Sequence, residues 1–123
     1  MRTISSQDVP IAIEDGGVEL RMREEGELTV CFVRLRAGVN LAPALKGLPG
    51  DRCPCPHWGY MLKGRVRMHT ADGARDFEAG QPFYWGPGHA PEALEDAEYF
   101  DFSPTEQFRQ VVDHITGRAA QAA

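Results

Sequence analysis

The residues with the most distinctive chemistry lie together near the middle of the chain. Cys53, Cys55 and His57 occupy alternate positions, separated by prolines, just before an apolar segment. Sulfur and imidazole nitrogen are the donors that zinc and other borderline divalent metals prefer. On an extended segment such side chains point to one side, because strand side chains alternate with a period of two. The spacing therefore predicts a metal site on one face of a strand.

Two further residues extend the candidate set. His89 follows the turn-forming run Gly86-Pro87-Gly88, and Asp51 follows Gly50. Each candidate also has an ordinary structural interpretation. A buried neutral histidine can simply hydrogen-bond to backbone groups, a loop histidine can be solvated, and an aspartate after glycine usually caps a turn. Cys53 can be a small loop cysteine packed against Pro54. The sequence leaves all these alternatives open.

Composition limits the classes of protein to consider. The chain has 123 residues, which fits one domain, and carries 13 basic against 18 acidic residues for a net charge of −5. This acidity argues against nucleic-acid binding, and no stretch approaches the ~20 apolar residues that span a bilayer. The polar start, Met1 to Pro10, shows no secretory signal, so a cytoplasmic location is expected. There the three cysteines need not pair.

Glycine and proline cut the chain into short apolar segments, a pattern typical of a β-sandwich or barrel. Leu28 to Leu35 is apolar on both faces and is predicted to be a central strand, with Cys31 as a small buried hydrophobe. In the strand pair from His57 to Thr70 the apolar parity switches near Gly64, which predicts a bulge or tight turn. Residues 37–51 predict a long loop with one short strand.

The C-terminal segment has a helical pattern. Ser103 is predicted to cap it, with Pro104 at the first helical position and Glu106 completing a capping box. Gly117 is predicted to end the helix. Apolar residues at helical spacing form one stripe: Phe108, Val111, Val112 and Ile115. The chain is thus divided into an N-terminal arm (1–16), a β-barrel domain (17–103) and a C-terminal helix and tail (104–123).

Over residues 28–102 the chain resembles the cupins, small β-barrels of the double-stranded jelly-roll type. The run from Tyr60 to Val66, with its glycine turn at Gly64, resembles the end of the family's first motif. Gly80 followed by Gly86-Pro87-Gly88-His89 resembles the second motif, which ends in a histidine. The resemblance implies an all-β fold, a double-stranded β-helix (jelly-roll) cupin barrel with a short C-terminal α-helix.

The resemblance also implies a ligand set. Aligned on Gly64, His57 takes the place of the first motif's glutamate, Cys53 that of its second histidine and Asp51 that of its first. Together with His89, Cys53 and His57 are the expected metal ligands. Because the two-histidine element and the carboxylate are replaced, the facial site of iron oxygenases is not expected. Zinc is the expected metal, with nickel, copper and iron as alternatives.

Two functions follow from this resemblance. The first is a small metal-binding cupin that works as a metal-dependent enzyme on a small polar molecule in the barrel, the metal acting as a Lewis acid. Tyr84 and Glu92 are the candidates for proton transfer. The alternative is a non-catalytic module that binds or senses a small ligand or the metal itself.

The expected partners are a small-molecule ligand and a second copy of the chain. Trp58, Tyr60 and Leu62 have the opposite parity to His57, so they lie on the outer face of the predicted strand. A row of large apolar residues there calls for a covering layer, either the C-terminal helix or a partner subunit. Cupins often dimerise through such strands, so a homodimer is expected, with no nucleic-acid or membrane partner.

Overall fold

The computed structural model describes residues 1–122, with side chains as far as Arg118. Within this range two antiparallel sheets are followed by one long helix, which confirms the all-β class with a C-terminal helix. Short 3-10 turns occur at Ser6–Asp8 and Pro49–Asp51. The strands and helices are β1 (Ile11–Asp15), β2 (Val18–Glu25), β3 (Leu28–Leu35), β4 (His57–Lys63), β5 (Arg65–Thr70), β6 (Gly73–Glu78), β7 (Pro82–Trp85), β8 (Ala90–Ala93), β9 (Ala97–Pro104), α1 (Ala42–Leu45) and α2 (Thr105–Ala122).

The larger sheet has the strand order β1-β2-β3-β9-β4-β7, and the smaller has the order β6-β5-β8. Strand β3 pairs with β2 and β9 along its whole length, which confirms it as a central strand. Cys31 within it is fully buried, as predicted. In β9 the residues Tyr99, Asp101 and Ser103 are buried while the residues between them are less so. This alternation places one face of the larger sheet against the core.

The predicted parity switch occurs at Gly64, which joins β4 to β5. Before it Met61 is buried, and after it Val66 and Met68 are buried. Gly64 has φ +75°, and a Cβ there would lie 2.1 Å from the carbonyl oxygen of Asp96. Only glycine can adopt this left-handed conformation so close to the backbone of another segment, because it has no Cβ. Odd-numbered residues therefore face the core before the turn and even-numbered residues face it after the turn. Both strands contribute apolar side chains to the core in this way.

Helix α2 closes one end of the two-sheet structure. Its predicted apolar stripe is confirmed, since Phe108, Val111 and Val112 are buried. Arg109 holds the outer side of the helix through an ion pair to Glu24, with Nη2 2.7 Å from Oε1. No helix in residues 1–122 is long and apolar enough to cross a lipid bilayer.

Three local features differ from the sequence-based expectations. The expected arm, 1–16, contains β1, which pairs with β2 at the edge of the larger sheet. Residues 37–51 contain helix α1 instead of a short strand. Helix α2 continues through Gly117 to Ala122, because glycine near an exposed helix end costs only about 1 kcal/mol. Ala123, the last residue of the predicted tail, lies outside the described range.

Candidate metal centre

Backbone hydrogen bonds between two loops bring Cys53 and His89 together. The N–H of Cys53 donates to the carbonyl of His89 (2.8 Å), and the N–H of Gly88 donates to the carbonyl of Cys53 (2.8 Å). This isolated bridge joins the segment before β4 to the start of β8. Both side chains are buried. The two loops are therefore fixed to each other in the same way as neighbouring strands.

His57 reaches the same point from the first position of β4. It is buried and shares its inward parity with Met61, as the sequence predicts. The register places it opposite Trp85 of β7, and the two rings meet edge to face with centroids 6.4 Å apart. Since β4 pairs with β7 on one side and β9 on the other, its backbone position is firmly set.

The three potential ligand atoms converge. Cys53 Sγ lies 3.7 Å from His57 Nε2, and the ligand atoms of Cys53, His57 and His89 all lie within 4.8 Å of one another. In a tetrahedral zinc site, bonds of about 2.0–2.3 Å place neighbouring donors ~3.3–3.8 Å apart. The observed spacing is close to this range, so the three residues fit a divalent transition metal.

Hydrogen bonds select the nitrogen that each imidazole presents. His89 Nδ1 lies 2.6 Å from the carbonyl oxygen of Gly86, which can only accept, so Nδ1 carries the proton and Nε2 is bare. Ser103 Oγ donates to Asp101 Oδ1 (3.2 Å) and therefore accepts from His57 Nδ1 (2.6 Å). His57 Nε2 is thereby also left bare. Partners of this kind behind a histidine orient it for metal binding.

The electrostatics of the pocket favour neutral imidazoles. Burial, reinforced by His89, lowers the pKa of His57 to about 3, and burial also lowers the pKa of His89. Burial raises the pKa of the Cys53 thiol to about 11. Both histidines are therefore ready to donate a lone pair at neutral pH. The thiol keeps its proton until a cation displaces it, so metal binding here releases a proton.

A small cavity of about 60 Å³ lies beside the three ligands. That is room for about two water molecules. Phe108 of α2 lines it and packs edge to face on the His57 ring, with centroids 5.6 Å apart. Its walls are mainly apolar, although the buried Asp101 and Tyr99 also line it. Helix α2 thus covers the ligand group on this side.

The remaining ligand candidates lie outside the group of three. Cys55 is fully buried, but its Sγ contacts the carbonyl of Pro56 at 3.6 Å. Asp51 accepts a hydrogen bond from the N–H of Gly47 at 2.9 Å, the turn-capping role that its position suggested. Neither belongs to the set of ligand atoms found among the described residues.

The two proton-transfer candidates also lie away from the cavity. Tyr84 is 56% exposed and points to the outer face of β7. Glu92 on β8 accepts from His69 Nε2 at 2.9 Å. Neither side chain lines the cavity beside the ligands.

The residues that sequence reasoning missed are Asp101 and Ser103. The capping role predicted for Ser103 is wrong, because β9 extends through Pro104 and turns this side chain into the core. The alternation of residue types along β9 could have predicted this inward-facing position. Polar residues at 101 and 103 alternate with Phe100 and Phe102, so one face of β9 carries buried polar groups.

Comparison with solved structures identifies the fold. The chain is similar to KdgF from a Halomonas species, with a TM-score of 0.61 and 17% identity, covering 81% of this chain and 91% of that one. It is similar to a cupin 2 conserved barrel domain protein from Salinispora arenicola (0.58, 14%, 96% of each chain). It is also similar to ectoine synthase from P. lautus (0.60, 10%, 85% of this chain and 78% of that one). No family model matches the chain, and no curated protein matches it.

The chain therefore has the cupin fold. Within this fold, Cys53, His57 and His89 form a group that could hold a metal ion. The fold expected from Gly64 and from the Gly86 to His89 turn is confirmed. At these levels of identity the neighbours establish the fold alone.

Proposed function

We propose that the protein is a metal-binding cupin that holds zinc through Cys53 Sγ, His57 Nε2 and His89 Nε2. The observation that carries this proposal is the convergence of the three donors within 4.8 Å, with both imidazoles oriented to present Nε2. One sulfur and two nitrogen donors suit zinc, and nickel, copper or iron are the alternatives for the same set. A free thiol ligand stays reduced in a reducing compartment, so we propose that the protein is cytoplasmic.

The site is of the open type. Three protein ligands leave one position free, at which bound zinc would act as a Lewis acid or activate a water molecule. The chain supplies orientation and exclusion of solvent: Ser103 sets the His57 ring, and Phe108 covers the ligand group. We therefore propose an enzyme that acts on a small polar molecule. Nucleic acid and membranes do not enter this proposal.

Metal analysis of untagged protein, purified without added metal, tests the ligand set. We expect one zinc per chain in the wild type and its loss in His57→Ala. His69→Ala is the matched control, because His69 lies on the other sheet and pairs with Glu92. Zinc retained by His57→Ala, or wild-type protein without transition metal after reconstitution, would refute the proposal.

One observation favours the non-catalytic alternative, a module that binds or senses the metal or a small ligand. The cavity at the ligands has a volume of about 60 Å³ and is lined on one side by helix α2, so it holds little beyond the metal and water. Slow zinc exchange with a chelator and no binding of small molecules would indicate this alternative. Rapid exchange and a ligand-sensitive metal site would indicate the open, catalytic type.

We further propose that two copies associate through the outer face of the larger sheet. Helix α2 leaves this face uncovered, and Trp58, Tyr84 and Phe102 are 48%, 56% and 39% exposed. The rings of Trp58 and Tyr84 lie 5.2 Å apart, and those of Tyr60 and Phe100 6.2 Å apart, in a continuous aromatic surface. Two copies of such an apolar patch can pair with each other across a two-fold axis.

Light scattering during size-exclusion chromatography tests the association. We expect a dimer for the wild type and a monomer for Trp58→Glu, because the two-fold pairing places both new carboxylates in one interface. Gln110→Glu adds the same charge on the exposed side of α2 and should leave the dimer intact. A wild-type monomer at micromolar concentration would refute the homodimer.

A further inference from the structure

A groove on the other side of the ligand group offers an approach that α2 does not cover. It lies between the β5–β6 hairpin and the end of β7, with a volume of about 360 Å³. Such a volume suits a small organic molecule. Trp85 and His89 line both this groove and the inner cavity, so they form the wall between the two. A molecule in the groove therefore touches a residue that also faces the metal centre.

The groove carries one arginine whose position is unusual for this sheet. Arg65 and Arg67 of β5 are each paired with acidic residues on the outer face. Arg75 of β6 lies opposite Met68, and cross-strand partners share a face, so Arg75 projects toward the inner side with the buried Met68. No aspartate or glutamate within residues 1–118 lies within ion-pair distance of it. Its guanidinium carbon lies 5.8 Å from the centre of the Phe77 ring, which helps to hold it over the groove.

Trp85 adds an unsatisfied donor. Its side chain is 3% exposed, and its indole Nε1 has no hydrogen-bond acceptor among the described residues. Buried donors are nearly always paired, so an orphaned one points to a missing acceptor. The groove lining includes one carboxylate, Asp72, at the tip of the hairpin. The lining also includes the apolar and aromatic side chains of Met68, Phe77 and Trp85, together with the polar Thr70 and His89.

We propose that this groove binds a small organic carboxylate, held against the wall that Trp85 and His89 form beside the metal centre. The inference rests on the proposed function, since it names the substrate class of the same site. Arg75 supplies the counter-charge, a guanidinium being suited to a carboxylate. The aromatic walls formed by Phe77 and Trp85 take the hydrocarbon part.

The test uses the zinc-loaded full chain with sodium benzoate as the probe and benzamide as its neutral counterpart. Binding is followed by the nitrogen–proton resonances of the two indoles, with that of Trp85 assigned from a Trp85→Phe variant. We expect benzoate to shift the Trp85 resonance in a saturable way and to leave that of Trp58 unchanged. Benzamide should bind at least about tenfold more weakly, because it cannot form the charge-assisted contact.

Arg75→Gln should weaken benzoate binding by about tenfold or more, whereas Arg65→Gln should change it less than about twofold. Arg65 is the matched control, because it lies on the same hairpin but on the outer face. Equal binding of benzoate and benzamide, equal effects of the two variants, or an unmoved Trp85 resonance would each overturn the inference.

Zinc content, measured on the same samples, separates this result from the proposed function. Arg75→Gln is expected to keep its zinc. A full zinc complement without Arg75-dependent binding refutes the carboxylate groove and leaves the metal proposal standing. Protein that takes up no zinc refutes the metal proposal, and with it the assignment of the groove to a metal centre.

Discussion

Replacing Ser103 with alanine tests how much the orientation of His57 contributes to metal binding, because the variant keeps all three metal ligands. The variant keeps Cys53, His57 and His89 but removes the hydroxyl that lies 2.6 Å from His57 Nδ1 and 3.2 Å from Asp101 Oδ1. His57 then loses the acceptor that fixes its tautomer and ring angle. Loss of such a partner typically lowers metal affinity by about 10–100-fold, equivalent to about 1.4–2.8 kcal/mol.

The same change also affects folding, since Ser103 is fully buried. The Nδ1–H of His57 is left without its partner, and Asp101 loses one of its two side-chain donors, Ser103, and keeps Cys31. An unsatisfied buried polar group costs about 1–3 kcal/mol, so the unfolding free energy of the metal-free protein should fall by that order. Urea denaturation of the metal-free protein measures this, and competition with a chromophoric chelator measures the zinc affinity.

Thr29→Ala provides the matched control. Thr29 lies directly opposite Ser103 in the β3–β9 register and is equally buried. Its hydroxyl bonds to that of Thr105 at 3.0 Å and does not touch His57. We expect it to lose stability on the same scale and to keep its zinc affinity. If Ser103→Ala binds zinc as tightly as the wild type, the hydroxyl does not orient His57 and the reasoning is refuted.

Two further changes test the parts of the fold that position the site. Gly64→Ala should lower the unfolding free energy by more than about 3 kcal/mol in urea denaturation, because a Cβ there meets the Asp96 carbonyl at 2.1 Å. Gly80→Ala, with φ +91° but open space, should lose only about 1 kcal/mol, and equal losses would exclude the clash as the cause. Phe108→Ala should cost about 3–5 kcal/mol and speed zinc removal by a chelator, since the ring covers His57. Unchanged removal would show that α2 does not limit access.

The fold was largely predictable because local rules and tertiary structure agree in most strands. Leu28 to Leu35 is apolar on both faces because it is the central strand of its sheet, and the parity switch at Gly64 reports a turn that only glycine allows. The errors lie where local preference is weak. Ser103 has the chemistry of a helix cap, but strand pairing with Thr29 continues past it, and the helix begins at Thr105.

The sequence by itself determines which donor types are present and that Cys53, His57 and Met61 share one inward parity, because alternation along a strand is a local property of the backbone. It does not determine which donors meet. The pairing of Cys53 with His89, the exclusion of Cys55 and the bond from Ser103 to His57 all depend on contacts between segments distant in the chain. Such contacts are selected by the packing of the whole core, so only the tertiary structure decides them.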